Sequence, residues 1–310
     1  MPGEEKKNAV SLEFDALGTR NEVRLLFSEG TKEEAQEAAQ KIREKFYSFQ
    51  ERFSRFIPES ELGFLNGRIG HWEKASPDFL SLAKRALWAY DETKGLFDPR
   101  VLVFLEESGY GEDFFEGNFA RLGKRDGANP FIRPLGEDLQ MAGEKIRLGE
   151  RMDFGGIAKG FLTDLVATEL FSQGWKDFLV DSGGDMYLAG TGEDGKPWRI
   201  GLEGLEEQDL QLHLSMMAVA TSGISRRKWF WEGERKHHLI DPRSPGRFSF
   251  DLRSVSVIDS GVTEAEVWAK ALFILGAEKG LSLARRKGLP AIFLTYRSGV
   301  LYTPAVKKFL

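Results

Sequence analysis

Glycine, lysine and carboxylate residues are concentrated in one short stretch, DFGGIAKGFLTD, at residues 153–164. Glycine lets a backbone approach a ligand closely, and amides at the start of a helix attract anions. Lys159 adds a positive charge that suits a phosphate. The stretch is neither a P-loop nor a G-x-G-x-x-G dinucleotide motif, because Lys159 precedes Gly160 and Phe161 follows. The spacing is equally compatible with a tight strand-to-helix turn carrying a solvated lysine.

A second stretch, HHLIDPRSPG, brings a base, a carboxylate and a guanidinium close together in the chain. His238 is a candidate base, Asp241 a hydrogen-bond acceptor and Arg243 an anion clamp. The alternative is a structural histidine followed by ordinary Asp-Pro and Ser-Pro-Gly turn chemistry.

Two further stretches are weaker signals. VATSGISRR offers the hydroxyls of Thr221 and Ser222 next to a glycine, and VDSGGDMYLAG places Asp181 and Asp185 around a Gly-Gly pair. The first is also a common turn after a strand, and the second is most often a simple hairpin. No histidine is placed beside Ser222 as in a nucleophile elbow, so serine hydrolase chemistry is not supported.

The stretch EVWAKALFILG carries two charges in an otherwise apolar segment. Glu266 and Lys270 are four residues apart, so they share one face of a helix. A helix that is apolar nearly all round is normally buried, which makes this charged pair unusual.

Composition narrows the classes of function. With 41% hydrophobic residues, 29% charged residues and a net charge of −5, the 310-residue chain is typical of a globular protein without a nucleic-acid footprint. It has no cysteine, which excludes disulfides and thiolate chemistry, and four histidines are too few for a histidine-rich metal centre. The start MPGEEKKNAV lacks an apolar signal-peptide segment and no later segment is long and apolar enough to span a membrane, which predicts a cytoplasmic protein, although a leader removed beforehand would leave the same sequence.

The elements that must position these residues follow from periodicity and capping. Strand patterns flank ALGT near residue 17, Thr31 and Glu34 form a capping box for a helix to about Arg52, and Ser76 with Pro77 begins a helix that Gly95 ends. A glycine-rich turn then leads into a helix ending at Gly174, before short strands, the helix around Lys270 and a final hairpin. Residues 100–135 are expected to be irregular with short helices. Successive short strands joined by tight turns favour antiparallel sheets with segregated helices, an α+β fold.

Taken together, the motifs resemble the FAD:protein FMN transferases of the ApbE family. The matching blocks run in the family's order from about residue 14 to 296, and their joint presence is far more specific than any one of them. They are ALGT, FSRFIPESELGFLN, GLFDPRV, GYG, MDFGGIAKGFLTD, VDSGGDMYLAG, WRIGLE, VATSG, HHLIDPRSPG and AEVWAKALFILG.

The resemblance implies a T-fold-like α+β architecture in which residues 1–310 form one domain of two interleaved lobes, with FAD in the cleft between them. It implies Mg²⁺-assisted cleavage of the FAD diphosphate, release of AMP, and transfer of FMN to a Thr or Ser hydroxyl of an acceptor protein. His238 would be the base, and the metal ligands would be the Ala158 carbonyl and Glu266. The implied FAD-site positions are Leu17, Phe56, Leu96, Phe97, Asp98, Gly155, Lys159, Phe161, Asp164, Thr221, Leu239 and Ile240. Leu17 stands where the family usually has Met, and Phe56 where it often has Tyr.

The chain departs from the family at the metal site. The family has Asp at the position of Glu266 and Thr at that of Lys270, and a charged lysine cannot ligate a metal. Three interpretations follow: Lys270 replaces the metal at the diphosphate, Glu266 still holds Mg²⁺ while Lys270 bends aside, or the two form a buried i,i+4 ion pair in a pocket that no longer binds flavin. The alternative functions are a flavin carrier without transferase activity and a hydrolase that splits FAD.

Overall fold

The computed structural model describes residues 7–110, 132–205, 210–225, 227–297 and 299–310. The strands are β1 Asn8–Ala16, β2 Thr19–Phe27, β3 Trp72–Lys74, β4 Leu139–Ala142, β5 Lys145–Leu148, β6 Asp177–Ser182, β7 Met186–Ala189, β8 Trp198–Gly201, β9 Gln211–Leu214, β10 Met217–Gly223, β11 Lys228–Trp231, β12 Glu234–His237, β13 Leu252–Asp259, β14 Ala291–Thr295 and β15 Val300–Tyr302. The helices are α1 Lys32–Phe53, α2 Glu61–Asn66, α3 Pro77–Thr93, α4 Leu102–Glu107, α5 Leu135–Asp138, α6 Ala158–Ser172 and α7 Val262–Lys287, with 3₁₀ turns at Pro99–Val101 and Pro304–Phe309.

Eight strands form the main sheet in the order β1-β2-β6-β7-β10-β13-β14-β15, and each neighbouring pair is antiparallel. The first hairpin turns at Leu17 and Gly18, whose φ angles of 56° and 65° suit a two-residue turn with both centres left-handed. Smaller sheets pair β3-β5-β4, β8-β9 and β11-β12. This confirms the predicted α+β class with mainly antiparallel sheets.

The two faces of the main sheet bury different elements. Successive strand residues point to opposite faces, so Leu25 and Val180 pack with α1, α3 and α6, whereas Leu26 and Leu179 pack with β8, β9 and the C-terminal 3₁₀ turn. The helices thus cover one face, and a small hairpin and a short turn cover the other.

The two helices that carry the motif residues begin side by side. A Cβ on Gly160 would lie 2.8 Å from the carbonyl oxygen of Val262, so only glycine allows α6 and α7 to approach this closely. Asp164 of α6 accepts hydrogen bonds from the backbone amides of Val262 and Thr263 at 2.8 and 2.9 Å. It thereby caps α7, whose own N-cap residue, Gly261, has no side chain to do so.

Most predicted elements are confirmed, including the capping box of Thr31 and the helix start at Ser76-Pro77. The β11-β12 hairpin and the β3-β5-β4 sheet were not predicted from the sequence. Helix α7 is interrupted at Gly276, where φ is 77°. Residues 111–131, which include much of the region expected to be irregular and the last residue of GYG, lie outside the described residues. The division into two interleaved lobes stays a prediction.

Candidate active site

A cavity of about 990 Å³ lies where the β1-β2 turn, the glycine-rich turn before α6, the end of β10 and the first turns of α7 meet. Its volume is at the upper end of the range for small-molecule sites. Its lining includes Ala16, Gly18, Thr19, Gln50, Gly155, Gly156, Lys159, Asp181, Gly183, Gly184, Asp185, Thr221, Ser222, Gly223, Arg227, His238, Leu239, Ser254, Glu266 and Lys270. Motif blocks that are far apart in the chain therefore come together at one place.

Lys159 is held by two carboxylates at the cavity wall. Its ammonium forms an ion pair with Asp185 and lies 3.0 Å from Oε1 of Glu266. The second oxygen of Glu266 accepts the amide of Gly160 at 2.8 Å, and Asp185 accepts the amide of Thr221 at 3.0 Å. The charge of Lys159 is therefore neutralised by the protein itself.

Lys270 reaches the same cavity. Its Nζ lies directly over the glycine-rich turn, because a Cβ on Gly156 would be 1.5 Å from it, and it lies 5.9 Å from the ring centre of Phe97. Within the described residues, Lys270 has no hydrogen bond and no carboxylate within 4.0 Å. Burial lowers the pKa of its ammonium. Of the three interpretations, the buried i,i+4 ion pair is not what the structure shows, because Glu266 bonds to Lys159 and Gly160 instead.

The two adjacent histidines differ completely. His237 is buried, its Nε2 lies 2.9 Å from the carbonyl of Ser249, and burial lowers its pKa to about 4. His238 lines the cavity, and its Nδ1 lies 3.3 Å from the carbonyl of Arg227. A carbonyl only accepts, so Nδ1 carries the proton and Nε2 keeps a free lone pair. Burial also lowers the pKa of His238 well below 6.5, which keeps the ring neutral.

Arg227 is a cavity residue that the sequence reasoning did not single out. Its Nη2 donates to the carbonyl of Gly18 at 3.3 Å, and its guanidinium also bonds to Tyr110. Within the described residues it has no carboxylate partner. The available signal was the Arg-Arg pair that follows the VATSG motif.

Some of the residues predicted to contact the cofactor line the cavity. Gly155, Lys159, Thr221 and Leu239 line the cavity, as do His238, Glu266 and Lys270. The hydroxyl of Thr221 pairs with that of Ser256 on the neighbouring strand at 2.8 Å.

Three predicted carboxylates are occupied by other protein groups. Asp98 bonds to Arg100 at 2.6 Å, Asp164 caps α7, and Asp241 accepts from Arg243 at 2.9 and 3.0 Å. Each carboxylate is committed to local structure in this arrangement.

The remaining predicted residues contribute apolar surface or backbone. Phe161 packs in the main core against Phe49, Leu96 joins the cluster around α7, and Ile240 packs with Tyr110 and Trp229. Leu17 packs partly against the main core, Phe56 is 46% exposed beneath the guanidinium of Arg55, and Ala158 begins α6. Whether any of them touches a cofactor stays a prediction.

The arrangement does not fit a magnesium ion at the expected position. Both oxygens of Glu266 are bonded to other groups, and Lys270 supplies no lone pair. Mg²⁺ requires oxygen ligands in near-octahedral geometry, and an adjacent ammonium repels it. The part of the chain that the structure describes contains no cluster of three or more His, Cys, Asp or Glu side chains suited to a metal. It also contains no helix that is long and apolar enough to cross a membrane.

The antiparallel fold and the cavity between its motif blocks are those of the flavin transferases to which the chain is similar. The family model described as ApbE matches residues 17–293, and the chain belongs to the ApbE family. Among curated relatives, proteins named FAD:protein FMN transferase from Vibrio cholerae and Haemophilus influenzae are 27% and 25% identical. The alignments cover 79% and 95% of this chain and 75% and 88% of those relatives.

Solved structures show the same fold. The apo form of the flavinyl transferase ApbE from Pseudomonas stutzeri superposes with a TM-score of 0.82 at 25% identity, covering 98% of this chain and 97% of that one. The ApbE protein from Thermotoga maritima gives a TM-score of 0.80 at 25% identity, covering 97% and 99%.

Proposed function

We propose that this protein is an FAD:protein FMN transferase that binds FAD in the cavity and transfers FMN to a Thr or Ser hydroxyl of an acceptor protein. The observation that carries the proposal is the placement of His238 on the wall of the cavity, where its Nε2 has no hydrogen-bond partner among the described residues and where Arg227 and Lys270 have no carboxylate within 4.0 Å in the same part of the chain. Family membership and the names of the relatives support the same reaction.

The reaction is a phosphoryl transfer at the FMN phosphorus. Nε2 of His238 takes the proton of the acceptor hydroxyl while its oxygen bonds to that phosphorus. The bond between phosphorus and the bridging oxygen breaks, and AMP leaves with the electron pair. A neutral imidazole is needed for this role, and the lowered pKa of His238 keeps it in that form.

Positioning falls to the residues around the cavity. Gly155, Thr221 and Leu239 would lie along the cofactor, while Lys159 would hold the wall together through Asp185 and Glu266. Asp98, Asp164 and Asp241 would act as scaffolding, because their carboxylates bond to neighbouring protein groups.

The test compares wild type, H238Q and the exposed-histidine control H213Q. We expect H238Q to slow covalent flavin labelling of a Thr-bearing acceptor by about 10²-fold or more, the usual effect of removing a general base, while FAD affinity changes little. Flavin fluorescence on the denatured acceptor and AMP release are the measurements. Labelling unaffected by H238Q contradicts the role of His238. AMP release without labelling indicates an FAD-splitting hydrolase, and FAD bound intact indicates a carrier.

A further inference from the structure

We propose that Lys270 and Arg227 form a metal-independent clamp for the diphosphate of FAD. The inference rests on the proposed function and deepens it, because it assigns the charge that the phosphoryl-transfer site needs to two side chains of this chain. Some of the charges around the cavity are already neutralised by the protein, and others are not.

The charges of Lys159, Asp185 and Glu266 neutralise one another through ion pairs. The Lys159 ammonium bonds to both carboxylates, and each carboxylate also accepts a backbone amide. A ligand that took Lys159 would have to leave two carboxylates uncompensated, which is costly in a partly desolvated site. Lys159 is therefore a poor source of charge for a phosphate.

The charges of Lys270 and Arg227, in contrast, are not neutralised by an ion pair with a described residue. Neither has a carboxylate within 4.0 Å among the described residues, and both line the cavity. The Lys270 ammonium lies over Gly156, in the turn that leads into α6, where the N-cap residue Ile157 makes no side-chain cap.

The two cations also act on one another and on His238. Each cation disfavours protonation of His238. Glu266 and Asp153 favour the charged form of Lys270 without forming an ion pair with it, whereas Lys159 and Arg227 disfavour it. Like charges in one desolvated cavity raise the energy of the empty site. A diphosphate bound by both side chains relieves this repulsion, and its two negative charges match the two cations, neither of which has an ion-pair partner among the described residues. The same repulsion opposes a divalent metal.

The guanidinium of Arg227 has donors to spare. It has five N–H groups, and the contacts described are those to the Gly18 carbonyl and Tyr110. Its planar fork suits bidentate binding to phosphate oxygens, whereas Lys270 provides a compact point charge. The two residues approach from different elements, since Lys270 is on α7 and Arg227 follows β10.

The experiment measures FAD and riboflavin affinity of the full chain, freed of flavin, with excess EDTA or with excess MgCl₂. Wild type should bind FAD equally well in both buffers. K270M and R227Q should each weaken FAD binding in EDTA by about tenfold or more, the size of one charge-assisted phosphate contact. Riboflavin has no phosphate, so its affinity should not change.

K287M is the matched control, because Lys287 is on the same helix but pairs with Glu92 at 2.7 Å outside the cavity. It should leave FAD affinity unchanged. The double variant E266D/K270T should bind FAD more tightly with MgCl₂ than with EDTA.

FAD binding by wild type that requires MgCl₂ would overturn the clamp while leaving the proposed transferase intact. Equal losses of FAD and riboflavin affinity in K270M would also overturn it, since they would indicate a damaged pocket. Absence of FAD binding in both buffers would contradict the proposed function itself.

Discussion

Two groups of charged side chains lie inside this protein, and their states of pairing differ. Around Arg100, Asp98 and Asp138 lie 2.6 and 2.7 Å from guanidinium nitrogens, and all three side chains are almost fully buried. Around the cavity, Lys159 is paired, but Lys270 and Arg227 have no carboxylate within 4.0 Å among the described residues. We call the Arg100 network the closed group, because its charges are all paired with one another. We call Lys270 and Arg227 the open group, because their positive charges are available to a ligand.

The difference shows how the same residue types serve structure in one place and binding in another. Each group has a member in a motif block, Asp98 in GLFDPR and Lys270 in AEVWAK, so the sequence alone suggested cofactor contacts in each. A closed network holds chain segments in register, whereas unpaired cations raise the energy of the ligand-free state. The histidines repeat the contrast: His237 is enclosed by Phe248, Phe250 and Phe273, and His238 faces the cavity.

The largest expected effect is a loss of stability when R100M removes the cation of the closed group. This leaves Asp98 buried without its cation and Asp138 with only Arg133 at 2.8 Å, which should cost about 3–5 kcal/mol of unfolding free energy. Chemical denaturation of the flavin-free protein measures it. The matched cavity variant, K270M, should lose no stability, because its ammonium has no partner to abandon.

Similar losses in R100M and K270M would contradict the distinction between the closed and open groups. A further control combines R100M with D98N and D138N. If uncompensated charge causes the loss, these neutral partners should recover part of the stability.

A smaller effect on the unfolding free energy is expected when the pH is lowered, because His237 is held neutral in the folded protein. The unfolded chain binds a proton on this ring below about pH 6.5, whereas the folded ring stays neutral down to about 4. The unfolded state therefore binds more protons in this window, and stability falls as the pH drops through it. A shift of this size corresponds to about 3 kcal/mol.

Unfolding free energies of wild type, H237L and H213L between pH 7 and pH 4 test this. The advantage of wild type over H237L should shrink by about 3 kcal/mol across the range. H213L should follow wild type, since His213 is exposed. Parallel curves for wild type and H237L would show that His237 is not held neutral.

Much of this fold could be predicted from local patterns. Alternating residues and turn glycines identified the strands of the main sheet, and the Thr31 capping box marked the start of α1. The β11-β12 hairpin escaped prediction because KWFW and ERKH do not alternate between apolar and polar residues. Its pairing depends on tertiary contacts, such as the bond from the Trp229 indole to the Ser108 carbonyl at 2.7 Å.

The sequence indicated which motif blocks form the candidate site, but it did not indicate which charged side chains there bond to one another. The motif blocks identified His238, Glu266 and Lys270 as residues of one cavity. Glu266 bonds to Lys159 and not to Lys270 because α6 and α7 approach closely at Gly160. Residue spacing in the sequence does not predict such an approach. Arg227 was missed for the same reason, since its place beside the Gly18 turn is a long-range contact.

The smallest predicted effect is a loss of FAD affinity in G156A. This variant tests the open group, Lys270 and Arg227, without removing a charge. The new Cβ would lie 1.5 Å from Nζ of Lys270, and the three atoms nearest to it all belong to that flexible side chain. The ammonium must therefore move while the fold is retained, and FAD affinity in EDTA should fall by about three- to tenfold, less than in K270M. G136A, where a Cβ would meet nothing within 4 Å, is the control and should change neither affinity nor stability. Unchanged FAD affinity in G156A would mean that the position of the Lys270 ammonium over the glycine-rich turn does not matter for binding.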